Sequence, residues 1–160
     1  MDGYDVAQIC QNGHVINKRS KSEPDRNQQH CDKCGTSTIT LCPKCQNPIR
    51  GASLVKSGFM SSIYSVPSFC ENCGSPFPWT ESRLRAAHEL AKGLDNINEE
   101  DRIILQTSID DLVRDTPSSN VAVLRFKNIM QKVGPPVASA FREILVDVLS
   151  ETIKKTLFPS

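Results

Sequence analysis

The 160-residue sequence predicts an α+β protein in two parts, short β-hairpins followed by a small bundle of about four helices. Three observations carry this expectation. All seven cysteines lie in residues 1–79, and six of them form C-x₂-C pairs. Most turn residues share that segment, which has no long helical period. From residue 80 onward there is no cysteine, and apolar residues recur at helical spacing almost to the end. The expected domains are therefore 1–79 and 80–160, two small units that a chain of this length accommodates.

The pairs are Cys31 with Cys34, Cys42 with Cys45, and Cys70 with Cys73. A C-x₂-C turn converges two thiolates on one ion while backbone N–H groups point at the sulfurs. Gly35 and Gly74 directly follow the second cysteine of two pairs, where positive φ lets the chain leave the turn. Zinc in a closed structural site takes four ligands, so three pairs leave one site half filled. The stretch "CQNGH" supplies the missing half as Cys10 and His14, with Gly13 at the sharp turn between them. His30 competes for the role, but it adjoins Cys31, and neighbouring side chains of an extended segment point to opposite faces.

Grouped along the chain, site 1 is Cys10, His14, Cys31 and Cys34, and site 2 is Cys42, Cys45, Cys70 and Cys73. Each would form a zinc ribbon, and the N-terminal part a double zinc-ribbon module. A cross-brace, pairing alternate half-sites, is the other arrangement. The strand-like "GTSTITL" between Cys34 and Cys42 favours the sequential one, because RING-type cross-braces usually have far less chain there. Two structural Zn²⁺ ions per chain are expected; the Cys₄ set also suits iron. Seven thiolates around two divalent ions shift the formal charge from +1 to about −2, which does not favour a general polyanion binder.

The loops carry two further expectations. Lys18, Arg19, Lys21 and Arg26 lie between the first two half-sites and are the candidate nucleic-acid contacts; Glu23 and Asp25 among them favour a solvated, charge-balanced loop. Phe59, Met60, Ile63 and Tyr64 follow a Ser-Gly turn in the longer segment of the second ribbon. They either dock on the helical part or form an apolar patch for a partner.

The helices follow in order. Thr80 is read as the first N-cap, with Trp79 stapled onto Leu84 and with Ala87, Ala91 and Leu94 on the apolar face, where His88 packs partly buried. A second helix starts at Asn98, buries Leu105, Ile109, Leu112 and Val113, and stops before Pro117. A third spans about 119–133 and ends at Gly134. The fourth spans about 136–157, with Val137, Phe141, Ile144, Leu145, Val148 and Leu149 in a broad apolar arc opposite Glu143, Asp147, Ser150 and Lys154. A bundle position accounts for it; its spare apolar face would suit a partner or a second copy of the chain.

The N-terminus is acidic and short of apolar residues, unlike a signal peptide, and no apolar run approaches a membrane span. A cytoplasmic protein is expected, where paired cysteines are metal ligands rather than disulfides. The ligands are all accounted for, and no Gly-rich phosphate loop, H-E-x-x-H or G-x-S-x-G occurs, so an enzyme is not expected. The expected role is a zinc-binding adapter that binds another protein through its loops or last helices; the alternative is nucleic-acid binding through the basic loop.

The segments "MDGYDVAQICQNGHVIN", "CDKCGTSTITLCPKCQNPIRG", "FCENCGSPFPWTE" and "SETIKKTLFP" resemble a family of small uncharacterised bacterial proteins. That family has an N-terminal double zinc ribbon and a helical C-terminal region. The resemblance spans the whole chain, carries over all eight ligand positions and implies a bacterial cytosolic origin. It brings no activity.

Overall fold

The computed structural model describes residues 3–55 and 63–159. They form two compact units, residues 1–81 and 82–160.

The first unit is built of short strands, as expected of a chain punctuated by metal-type turns. β1 (Tyr4–Val6) pairs antiparallel with β5 (Arg50–Ser53), and a second sheet has the order β3 (Val15–Asn17), β2 (Gln8–Cys10), β4 (Thr38–Ile39). Ile9 at the centre of β2 faces Ile39 and is fully buried. It joins Ala7, Cys42, Ile49, Cys70, Phe77 and Trp79 in one apolar cluster. Phe77 and Trp79 stack with ring centroids 4.7 Å apart, and the Trp79 indole N–H donates to the Pro67 carbonyl at 2.9 Å. The β1–β5 pairing shifts register between Tyr4 and Val6, and there Gly51 lies against the neighbouring backbone. A Cβ at Gly51 would sit 2.5 Å from the Lys18 carbonyl oxygen, a place only glycine fits.

The basic loop after β3 is pinned by buried polar groups rather than merely solvated. Asp5 is buried and accepts from the backbone N–H groups of Val6 and Lys21, at 2.7 and 3.0 Å, and from the N–H and hydroxyl of Ser22. Asn17 donates to the Glu23 carbonyl and the Asn27 side chain, both at 2.8 Å, and Gln8 accepts from the Gln28 N–H at 2.9 Å. Composition gives no hint of this network, since Asp, Asn and Gln are ordinarily surface residues.

The regular elements among the described residues of the second unit are helices, chiefly α1 (Pro78–Lys92, which begins in the first unit), α2 (Glu99–Arg114), α3 (Ser119–Val133), α4 (Pro135–Leu145) and α5 (Glu151–Leu157). α1 starts earlier than expected. Pro78 opens it, Thr80 lies inside the first turn with its hydroxyl donating to the Ser68 carbonyl at 2.8 Å, and Trp79 packs on Phe77 instead of stapling Leu84. Asn98 caps α2 as read, its side chain accepting from the Asp101 N–H at 2.7 Å. The single last helix is instead two, giving five. Ser150, read as part of a polar stripe, turns extended and accepts from the Ile153 N–H at 3.3 Å, so it caps a new helix. Val148 and Leu149 are both buried at this break.

Leu105, Ile109 and Leu112 of α2, Phe126 of α3, and Phe141 and Leu145 of α4 fill the core of this unit. Phe126 and Phe141 meet edge to face at 5.7 Å. Polar ties join the helices: Arg102 donates to the Ala91 carbonyl at 2.6 Å, closing the end of α1, and His88 contacts Asp110 at 2.9 Å.

Asp5 supplies a test. Burial raises its pKa, but the hydrogen bonds from Ser22, Val6 and Lys21 outweigh burial and leave it below the ordinary value. Its contribution is therefore present above the unfolded carboxyl pKa of about 3.9 and lost only as pH falls through the lower folded value. At neutral pH, Asp5→Ala should cost about 1–3 kcal/mol and release the Lys21 and Ser22 amides to fast hydrogen exchange. Unchanged protection of both amides in the variant would contradict this role.

Candidate metal centres

Among the described residues, the structure gathers Cys10, His14, Cys31 and Cys34 in one group and Cys42, Cys45, Cys70 and Cys73 in another. In each, all four donor atoms lie within 4.8 Å of one another. The grouping is sequential, not cross-braced. Both groups belong to the first unit.

Three of the half-sites share one backbone frame. The N–H of the first cysteine donates to the carbonyl five residues on: Cys31 to Thr36, Cys42 to Asn47 and Cys70 to Ser75, at 2.8–2.9 Å. In return the first cysteine's carbonyl accepts from the residue after the second cysteine, which is Gly35, Gln46 or Gly74. That residue has φ of 77°, 65° and 76° respectively. Sequence reading marked the two glycines and missed Gln46, which holds the same left-handed conformation without glycine's freedom. Its place directly after Cys45 was the available signal.

The fourth half-site is the β2–β3 hairpin tip. Cys10 N–H donates to the His14 carbonyl at 3.0 Å and Gly13 N–H to the Cys10 carbonyl at 2.9 Å. Gly13 has φ of 93°, and a Cβ there would lie 3.1 Å from the Trp79 Cβ. The turn thus needs glycine twice, for its backbone and for its packing.

The donors sit at the spacing of a coordination tetrahedron. Cys10 and Cys34 sulfurs are 3.8 Å apart, as are those of Cys42 and Cys73, and Cys45 and Cys70 are 3.7 Å apart. His14 Nδ1 lies 3.4 Å from the Cys10 sulfur and 3.5 Å from that of Cys31. Four sulfurs each about 2.3 Å from one ion are about 3.8 Å apart, and a nitrogen at about 2.0–2.1 Å lies about 3.5 Å from them. None of the seven cysteines forms a disulfide.

Each group has a deep edge and a rim. Cys10, Cys31, Cys42 and Cys70 are buried, whereas Cys34 and Cys73 are exposed and Cys45 is intermediate. Burial raises the Cys10 pKa and pushes Cys70 up to about 11. At the rim the shifts reverse. Cys34 is held down to about 6 by the Thr36 N–H and then the Asn12 amide, and Cys73 to about 6 by the Ser75 hydroxyl and N–H. Cys45 is lowered by the Asn72 amide and the Asn47 N–H. The directions thus divide with position: the hydrogen bonds on Cys34, Cys45 and Cys73 favour the thiolate, and burial of Cys10 and Cys70 opposes it.

The remaining candidates are dispersed. His30 is exposed, bridges Ser37 and lies in neither donor group. Arg26 pairs with Glu23 at 3.3 Å and Arg19 donates to the Ser53 carbonyl at 3.4 Å; the backbones of Lys18 and Lys21 anchor the pinned loop. Tyr64 packs against the ribbon cluster and donates to the Arg50 carbonyl at 2.6 Å, with burial raising its pKa. Ile63 is 91% exposed. Phe59 and Met60 lie outside the described residues.

With this geometry in view, a family model described as an uncharacterized protein conserved in bacteria (DUF2321) matches residues 3–157. The chain belongs to the DUF2321 family. The match takes in all eight donor positions of this DUF2321 protein and nearly all of its helical unit. No curated protein and no solved structure matches it. No described helix is long and apolar enough to cross a membrane.

The two special turns give opposite expectations. Gly13→Ala should cost about 1–3 kcal/mol and weaken metal binding at the first group selectively. Gln46→Gly should leave metal content intact and be neutral or stabilising by up to about 1 kcal/mol, because it relieves a left-handed residue. Thermal unfolding with metal analysis of both variants checks the pair; a destabilised Gln46→Gly would show that its side chain matters more than its backbone.

Proposed function

We propose that this DUF2321 protein is a zinc-stapled, non-enzymatic adapter that works in the cytoplasm. The observation that carries the reading is that eight donors complete two tetrahedra. A catalytic zinc normally keeps a position open for water, and a full set of four protein donors leaves none. Three thiolates with an imidazole, and four thiolates, are both ordinary structural zinc sets. Iron also takes four thiolates, but an iron–sulfur cluster spreads its cysteines over several metal atoms, whereas the sulfurs of the second group stand at single-ion distances. Bound at Nδ1, His14 would carry its proton on Nε2.

Apolar side chains left in water support the adapter part. In the first unit Tyr4, Leu54, Val55 and Ile63 are exposed by 53, 41, 66 and 91%. They lie in and beside the long segment of the second ribbon, for which the sequence left two readings open, docking on the helical part or an apolar patch for a partner. The helical unit offers a cavity of about 420 Å³ bordered by Phe126, Met130, Ala138, Arg142, Leu157 and Phe158, together with exposed Ile103, Val121 and Leu124. That cavity is bordered by α3, α4 and the end of α5, the last two replacing the helix whose spare apolar face was the alternative to a purely internal bundle position.

Metal analysis tests the zinc part. The purified chain should hold two zinc ions, His14→Ala should retain one, and His30→Ala both. Chelation should unfold the first unit, since ligand binding and folding are coupled in such modules. Retention of both ions in His14→Ala would refute the assignment.

For the adapter part, a photo-crosslinking residue at position 54 should trap a protein in living cells, and Val55→Asp with Ile63→Asp should abolish the product while zinc stays at two per chain. Crosslinks unaffected by both charges would remove this surface from the account.

A further inference from the structure

Two asparagines stand at matching places in the two donor groups. Asn12 follows Cys10 by two residues and Asn72 follows Cys70 by two, in "CQN" and "CEN". Each sends its side-chain amide across the group to the second cysteine of the facing half-site. Asn12 Nδ2 lies 3.3 Å from the Cys34 sulfur and Asn72 Nδ2 lies 3.4 Å from that of Cys45.

The order along the chain is reversed between the groups. Asn12 precedes its target, whereas Asn72 follows it. The arrangement is therefore repeated without a repeated chain path. At the corresponding position the two facing half-sites carry lysine, Lys33 in "CDKC" and Lys44 in "CPKC", so each group pairs one asparagine half-site with one lysine half-site.

The receiving sulfurs are rim atoms, Cys34 exposed and Cys45 intermediate, and both asparagines are exposed. Neither amide is forced toward sulfur by burial. An amide N–H on a thiolate withdraws charge from it, holds its position and occupies a lone pair that a proton or chelator would otherwise approach. Metal release starts with detachment of an accessible ligand, so the rim thiolate is where such a donor has most effect.

We propose that Asn12 and Asn72 are metal-retention residues, each locking the rim thiolate opposite and setting the rate at which its own site gives up zinc. The proposal rests on the reading of the eight donors as zinc ligands. Partners outside the ligand sphere commonly change metal affinity by about 10–100-fold.

The test uses the full zinc-loaded chain and a chromogenic chelator, 4-(2-pyridylazo)resorcinol, after zinc content has been measured. Asn12→Asp and Asn72→Asp keep the side-chain shape and lose the donor. Asn12→Lys and Asn72→Lys install the residue that the facing half-sites already carry in the same turn. Each aspartate variant should start with two zinc ions and release one of them about 10–100-fold faster, a different one in each variant, and the double variant should release both faster. The cobalt-substituted aspartate variants should show a thiolate-to-cobalt charge-transfer band at lower energy while the tetrahedral d–d bands stay in place, a signature that a turn-forming role would not produce. The lysine variants should also release faster, because lysine fits the turn but its ammonium, on a long flexible stem, does not reproduce the fixed amide contact; faster release with either sign of charge then assigns the effect to that contact. Release rates and charge-transfer bands unchanged in chains that hold two zinc ions would overturn the proposal alone. An unsubstituted chain without two zinc ions would overturn the zinc reading and the proposal together.

Discussion

The first unit depends on four tight turns converging two by two, because little else in it can hold a fold. Its apolar cluster consists of Ala7, Ile9, Ile49, Phe77 and Trp79 together with two of the donors, Cys42 and Cys70. A core this small does not normally sustain an independent unit, and modules of this size are commonly stapled by disulfides or metal. Here the donor groups and the core overlap. Gly13, in the turn between Cys10 and His14, packs against Trp79, and Ile9 beside Cys10 belongs to the same cluster as Cys42 and Cys70, so the two groups share one core.

Polar groups do comparable work where apolar ones are missing. The basic loop owes its path to Asp5, Gln8 and Asn17, each buried and each bonded to loop backbone or side chains. Buried groups of this kind are costly only when unpaired, and these are paired. The second unit follows the opposite logic. Its helices are set by caps at Asn98 and Ser150 and by interlocked aromatic and aliphatic side chains, with no donor group among its described residues.

The donor sets were legible because metal binding constrains sequence locally. Two ligands per half-site must lie within a few residues, so spacing located Cys10 with His14, and the alternation of side chains in an extended segment set His30 aside. The α+β class and the faces of α2 and α3 were legible for a similar reason, as helical period is a local property. What was not legible depends on contacts remote in sequence. Nothing near Asp5 announces that it will receive the loop at Lys21 and Ser22, and nothing near Thr80 reveals the Ser68 carbonyl that draws it inside α1. Ser150 is an intermediate case. Its residue type favours a cap, yet the apolar arc on both sides of it reads as continuous, and only the burial of Val148 and Leu149 at the break decides between them.

The central claim is that two single ions, each surrounded completely by protein donors, hold the first unit together. Zinc-edge X-ray absorption of the purified chain tests it most directly. Seven sulfurs and one nitrogen shared by two ions predict an average shell of three and a half sulfurs at about 2.3 Å and half a nitrogen at about 2.0–2.1 Å, with no metal neighbour. A water oxygen in that shell, or a second metal close to the first, would contradict the account.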